Sequence, residues 1–111
     1  MVLKAGNRIL VVHRRLFEGD IARFFLGVVD AYEAGLARVT GFTFVREALE
    51  GKVLRKPEAR TKILSLSSGT LIVYSLPDDL AIENVHIRAG DGKLVLTDGG
   101  SFDINLAEHT Y

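Results

Sequence analysis

The chain has 111 residues, enough for one hydrophobic core but not two, and its 48% hydrophobic and 25% charged residues are typical of a globular protein. The sequence contains no cysteine, which excludes disulfide bonds, thiolate catalysis and zinc sites built from cysteine. Its 14 basic and 14 acidic side chains cancel, whereas nucleic-acid-binding proteins usually carry a basic excess.

Apolar and polar residues alternate along most of the chain, which is typical of β-strands. We predict strands over residues 8–17, 21–32, 36–45, 61–67, 70–76, 80–89, 93–97 and 101–106. Gly27 and Gly41 lie inside strands, where they indicate the bends or bulges that a small barrel needs to close. Residues 46–60 lose the alternation and are predicted to form a helical turn and a loop. About eight short strands make an all-β fold, either a small barrel or a barrel with an added sheet.

The first three predicted strands are apolar on both faces. In the second strand, Phe24 and Phe25 point to opposite sides, and the alternation places Phe24, Leu26, Val28 and Tyr32 together. A barrel of this size has only one interior. The second apolar face must therefore pack against the C-terminal strands or against another subunit, and the sequence leaves both arrangements open.

Two segments resemble the sequence motifs of the Sm-like family of small β-barrels. In residues 27–39, GVVDAYEAGLARV, a glycine opens a bent strand, the aromatic–acid pair Tyr32-Glu33 ends it, and a turn leads to a strand that begins with leucine. In residues 61–80, TKILSLSSGTLIVYSLPDDL, two apolar runs are separated by a turn and closed by a proline. The resemblance implies a single domain, residues 1–111, with an Sm-like or SH3-type barrel of about five strands over residues 8–77. A C-terminal β-meander extension would follow over residues 78–111.

The same comparison argues against the family's usual RNA pocket. The turn that carries a stacking side chain and an asparagine in the family is shortened here to Ala34-Gly35, and Ser68 replaces the basic residue of the second motif. Val73-Tyr74 matches the bacterial RNA chaperone of this superfamily, but Ser75-Leu76 stands where that protein has a lysine and a histidine. The resemblance therefore implies the barrel, and a ring assembly with it, without the pocket.

The residues that often carry chemistry have simpler explanations. His13, His86 and His109 share no metal-ligand spacing, and Asp91 and Asp98 each precede a glycine, as turn residues do. We therefore predict no catalytic residue, no metal site and no cofactor, and we rank a small enzyme third among the functions considered.

The leading prediction is a non-catalytic binding or assembly module that forms a homo-oligomer, a closed ring being one arrangement. Pairing of the fourth predicted strand with the fifth of a neighbour would remove exposed sheet edges. Residues predicted at this interface are Ile63, Ser65, Leu71 and Val73.

The alternative is RNA binding through the basic segment 46–62. Its cationic side chains are Arg46, Lys52, Arg55, Lys56, Arg60 and Lys62. Such side chains would contact phosphates without reading sequence. No run approaches the roughly 20 apolar residues of a membrane span or resembles a signal peptide, so we expect a cytoplasmic protein with no membrane partner.

Overall fold

The computed structural model describes residues 3–13, 23–46, 52–90, 93–100 and 102–106, and it confirms an all-β fold. Two antiparallel sheets contain nine strands in this part of the chain. The strands are β1 (Arg8–His13), β2 (Arg23–Glu33), β3 (Leu36–Arg46), β4 (Val53–Arg55), β5 (Arg60–Ser65), β6 (Leu71–Leu76), β7 (His86–Gly90), β8 (Lys93–Thr97) and β9 (Asp103–Asn105), with one 3-10 turn, η1 (Ile82–Asn84).

The larger sheet has six strands, and long β2 and β3 form its centre. β1 and β6 extend it on one side, in the order β3-β2-β1-β6. On the other side, β5 pairs with the first half of β3 and β4 with its last three residues. Within the described residues β5 and β6 do not pair with each other, so the closure expected of a small barrel is not found and the sheet is open.

The smaller sheet consists of β7, β8 and β9. The predicted Asp98-Gly99 turn connects the last two of these strands. The Asp98 carboxylate accepts hydrogen bonds from the backbone N–H groups of Gly100 and Phe102, at 2.8 and 3.2 Å. The aspartate thus organises the turn through its own side chain, as expected for this residue type.

Two predictions about secondary structure are wrong. Residues 53–55, predicted as loop, form β4, which is too short to show an alternating pattern. The strand predicted from residue 80 begins only at His86, because η1 precedes it and buries Ile82. The tip of the first hairpin, the helical turn predicted after Arg46 and the Asp91-Gly92 turn lie outside the described residues.

Each face of the large sheet carries its own hydrophobic core, which explains the apolar residues on both sides of the first strands. The first core contains Leu3, Ile9, Val11, Phe25, Val29, Ala37, Val39 and Leu64. The second core contains Leu10, Phe24, Leu26, Phe44, Leu76, Leu80, Ile82, Val85, Ile87, Leu94, Leu96 and Leu106. The second core includes residues of both sheets. The C-terminal strands of the same chain therefore cover the face of β1 and β2 that carries Leu10, Phe24 and Leu26.

Gly27 and Gly41 stand directly opposite each other in β2 and β3. A Cβ atom on Gly41 would lie 1.9 Å from the carbonyl oxygen of Leu26, so only glycine fits this close approach of the two strands. The bulge of β2 lies elsewhere, between Val29 and Ala31. It shifts the alternation, and Tyr32 therefore packs against the first core and not beside Phe24 as the pattern predicted.

Candidate assembly and anion-binding surfaces

The outer edge of β5 pairs with none of the described strands and lies next to exposed apolar side chains. Among the described strands β5 pairs only with β3, in a register that sets Ile63 opposite Arg38 and Ser65 opposite Leu36. These four side chains therefore share one face of the sheet. Ile63 is 71% exposed and Leu36 is 50% exposed. The combination of an open backbone edge and large exposed apolar groups is typical of a surface that pairs with another strand.

The outer edge of β6, at the opposite side of the same sheet, also pairs with none of the described strands. In the described part of the chain β6 pairs only with β1. Leu71 and Val73, which the sequence placed at an interface, are half-buried and pack against the first core, whereas Ile63 and Ser65 on β5 are exposed. A strand that paired with the β6 edge would therefore bind mainly through backbone hydrogen bonds and less through contacts with the side chains of β6.

The two turns that the Sm-like resemblance assigns to an RNA pocket lie side by side. The backbone N–H of Leu66 donates a 2.8 Å hydrogen bond to the carbonyl oxygen of Gly35, and a Cβ on Gly35 would lie 3.6 Å from Ser67 Oγ. Ser68 and Thr70 share a 2.8 Å hydrogen bond between their hydroxyl groups. These residues provide neither a cation nor an aromatic ring for a nucleotide.

The basic segment does not form one continuous surface, because its side chains lie on both faces of the sheet. The Arg55 guanidinium lies 4.9 Å from the centre of the Phe42 ring and donates a 2.8 Å hydrogen bond to the carbonyl oxygen of Glu83. Phe42 packs against the second core. Arg55 therefore connects β4 to η1, and this contact serves the packing of the two sheets.

The remaining basic residues of the segment are spread along the backbone of β3, β4 and β5. Arg46 ends β3 opposite Val53, and Lys52 immediately precedes β4. Lys56 follows β4, where its backbone N–H donates a 2.8 Å hydrogen bond to the carbonyl oxygen of Thr43. Arg60 and Lys62 lie on β5.

Arg60 and Lys62 converge instead with two cations from other strands. Alternation along β5 places Arg60 and Lys62 on the same face of the sheet as Leu64, a first-core residue. His13 is two residues from Val11 and Arg23 is two residues from Phe25, so these two cations share that face. The Lys62 Nζ lies 4.6 Å from the centre of the buried Phe25 ring. We call His13, Arg23, Arg60 and Lys62 the cation cluster. The sequence did not indicate it, because its members come from three strands.

His13 and Lys62 each lie within electrostatic range of two other members of the cation cluster. Burial, followed by the positive charges of Lys62 and Arg23, lowers the pKa of His13 below its ordinary value. Burial, followed by the charges of Arg60 and Arg23, also lowers the pKa of Lys62. The neighbouring cations thus add to burial in making it less favourable for His13 and Lys62 to carry a proton.

No known protein family, curated protein or solved structure matches this chain. Across residues 3–13, 23–46, 52–90, 93–100 and 102–106, no three histidine, aspartate or glutamate side chains are grouped so that they could hold a metal ion. None of the helical segments described has the length and hydrophobicity to cross a membrane.

Proposed function

We propose that the protein is an Sm-like open β-barrel that forms homo-oligomers, with β5 of one copy pairing with β6 of the next. The observation that carries this proposal is that β5 and β6, two six-residue strands at the margins of the larger sheet, each pair with only one described strand. Both strands have six residues, so a complete ladder can form between them. Unpaired edges of this length are a liability for a protein unless another chain covers them.

The strand order also supports the Sm-like assignment. β1, β2 and β3 form consecutive antiparallel hairpins, β5 returns to β3, and β6 returns to β1. These are the five strands that the sequence motifs imply, with β4 as a short addition to the end of β3. The smaller sheet covers one face of this unit, and no described strand pairs with the outer edge of β5 or of β6.

The proposed contact joins two different surfaces, so it is heterologous. Repetition of such a contact gives a ring when the rotation between subunits closes, and a filament when it does not. A closed ring would leave no unpaired β5 or β6 edge. It would also bring Ile63 and Leu36, both exposed in the single chain, close to the neighbouring subunit.

The test is the molar mass in solution of the natural chain and of two lysine variants. Ile63→Lys places a charge on the β5 edge, whereas Leu54→Lys changes an apolar residue of β4 that is 48% exposed and lies outside the proposed contact. We expect an oligomer for the natural chain and for Leu54→Lys, and a smaller species for Ile63→Lys, by light scattering on a sizing column. A monomeric natural chain would overturn the proposal.

A second candidate function is RNA binding through residues 46–62, and one observation favours it. Arg60 and Lys62 lie near Arg23 on the face of the first core. Arg55, in contrast, stacks on Phe42 at the opposite face. An elevated absorbance at 260 nm in the purified protein that disappears in the Lys56→Gln, Arg60→Gln double variant would support this function. Retention of nucleic acid by that variant would exclude the segment as its binding site.

A further inference from the structure

We propose that the cation cluster binds a phosphate group of a ligand. This inference is independent of assembly, because all four side chains belong to one copy of the chain. His13 ends β1, Arg23 begins β2, and Arg60 and Lys62 lie on β5. All four are on the face of the sheet that holds the first core, on strands connected in the order β1-β2-β3-β5.

Little negative charge balances these cations in the described part of the chain. Arg60 forms an ion pair with Glu58 at 3.2 Å, and their side chains are 63% and 74% exposed. An exposed pair of this kind contributes little energy, because water screens it. Burial is the first cause that lowers the pKa of His13 and of Lys62, and repulsion from the neighbouring cations lowers both further. An anion placed among the cations would relieve that repulsion.

The types of side chain favour a phosphate over a smaller anion. The two guanidinium groups offer planar pairs of N–H donors, which match two oxygens of one phosphate. Lys62 adds a compact charge whose position is set by its contact with the Phe25 ring. A protonated His13 would add another donor, so the four groups can surround several oxygens of the same phosphate.

The site differs from the pocket that the Sm-like resemblance implies. That pocket would be formed by the turns around Gly35 and Ser67, which carry no cation. The cation cluster is built instead from residues of the strands β1, β2 and β5. A ligand held here would leave the β5 edge residue Ile63 uncovered, since Ile63 points to the opposite face from Lys62.

The experiment measures binding of two probes to the full-length protein: inorganic pyrophosphate by calorimetry and a labelled single-stranded oligo-uridylate by fluorescence anisotropy. Arg23→Gln and Lys62→Gln each remove one charge from the cluster, and Arg88→Gln removes one from an exposed position of β7. We expect each cluster variant to bind about tenfold more weakly or worse, because hydrogen bonds to charged groups are lost. Arg88→Gln should remain within about twofold of the natural chain, since only the diffuse charge changes.

Two further measurements separate a ligand contact from a fold defect. Lys62→Arg keeps the charge and should retain binding, and circular dichroism shows whether each variant is folded. Oligo-uridylate binding should also strengthen as the pH falls from about 7.5 to about 5.5, by at most about tenfold per pH unit, since one histidine takes up one proton. Phosphodiesters do not titrate in this range, so His13→Gln should abolish the gain.

Binding of both probes would identify a site for phosphate groups in general, and binding of the oligonucleotide alone would identify a nucleic-acid backbone as the source. Both results support the proposal if the cluster variants weaken binding and Arg88→Gln does not. Failure of both probes to bind, or an equal loss in Arg88→Gln, would overturn it.

Discussion

Replacement of Gly41 by alanine tests the close approach of β2 and β3 at the centre of the large sheet. The added Cβ would lie 1.9 Å from the Leu26 carbonyl oxygen and 2.5 Å from the Gly27 Cα. Both atoms belong to the backbone, so no side-chain rotation can relieve the overlap. The strands would have to separate by more than about 1 Å to reach ordinary van der Waals contact.

The cost follows from the contacts that this separation breaks. Overpacking alone costs about 1–3 kcal/mol, and disruption of roughly two ladder hydrogen bonds adds about 1 kcal/mol each. We therefore expect Gly41→Ala to lower the free energy of unfolding by about 3–5 kcal/mol. A domain of this size has a total of about 6–17 kcal/mol at the usual stability per residue, so the variant should lose a large share of it.

Gly69→Ala is the matched control, because Gly69 is constrained by conformation and not by space. Its φ is +79°, and a Cβ there would meet nothing within 4 Å. Only the left-handed conformation should be penalised, by about 1–2 kcal/mol. Urea denaturation followed by circular dichroism gives both values. Equal losses in the two variants would refute the argument that β2 and β3 touch through their backbones.

Three further predictions concern single side chains. Ala34 has φ +49° in the two-residue turn that it forms with Gly35, at φ +83°. Asparagine adopts this left-handed conformation more readily than alanine, so Ala34→Asn should raise the free energy of unfolding by about 0.5–1 kcal/mol in urea titrations. A decrease would contradict the turn geometry. Arg55→Ala should cost about 1–2 kcal/mol by the same assay, because the contacts with Phe42 and the Glu83 carbonyl disappear, and a neutral result would exclude that structural role. The pKa of His13 is lowered in the folded protein, so the unfolded chain binds that proton more readily. Acidification from about pH 7.5 to about pH 5.5 should therefore lower the free energy of unfolding of the natural chain more than that of His13→Gln. If the difference in free energy of unfolding between the two proteins is the same at both pH values, the prediction is contradicted.

Much of the fold could be predicted because its signal is local. Strand alternation depends on neighbouring residues, and the apolar pairs such as Phe24 and Phe25 correctly indicated two buried faces. The bulge after Val29 was not visible in the sequence, because one extra residue reverses the alternation without changing composition. Tyr32 was assigned to the wrong core for that reason.

The candidate site was harder to predict because its contacts are distant in sequence. Lys62 comes within electrostatic range of His13 and Arg23 only because β5 pairs with β3, whereas the sequence grouped Lys62 with its neighbours in the chain. Similarly, the partner of Arg55 is the carbonyl of Glu83, which the loop interpretation of residues 53–55 did not bring near. Charge clusters read from sequence therefore mix side chains that the sheet places on opposite faces.

Cross-linking between β5 and β6 tests the proposed assembly most directly, and the natural chain assists it because it has no cysteine. Arg60→Cys labels the β5 edge and Ser75→Cys labels the β6 edge, both at exposed positions on the face of the first core. The two purified variants would be mixed, allowed to exchange subunits and treated with a short bis-maleimide. We predict that covalent dimers form between the two variants, and form far less within either one alone. Absence of mixed dimers under conditions where the chain is oligomeric would contradict pairing of β5 with β6.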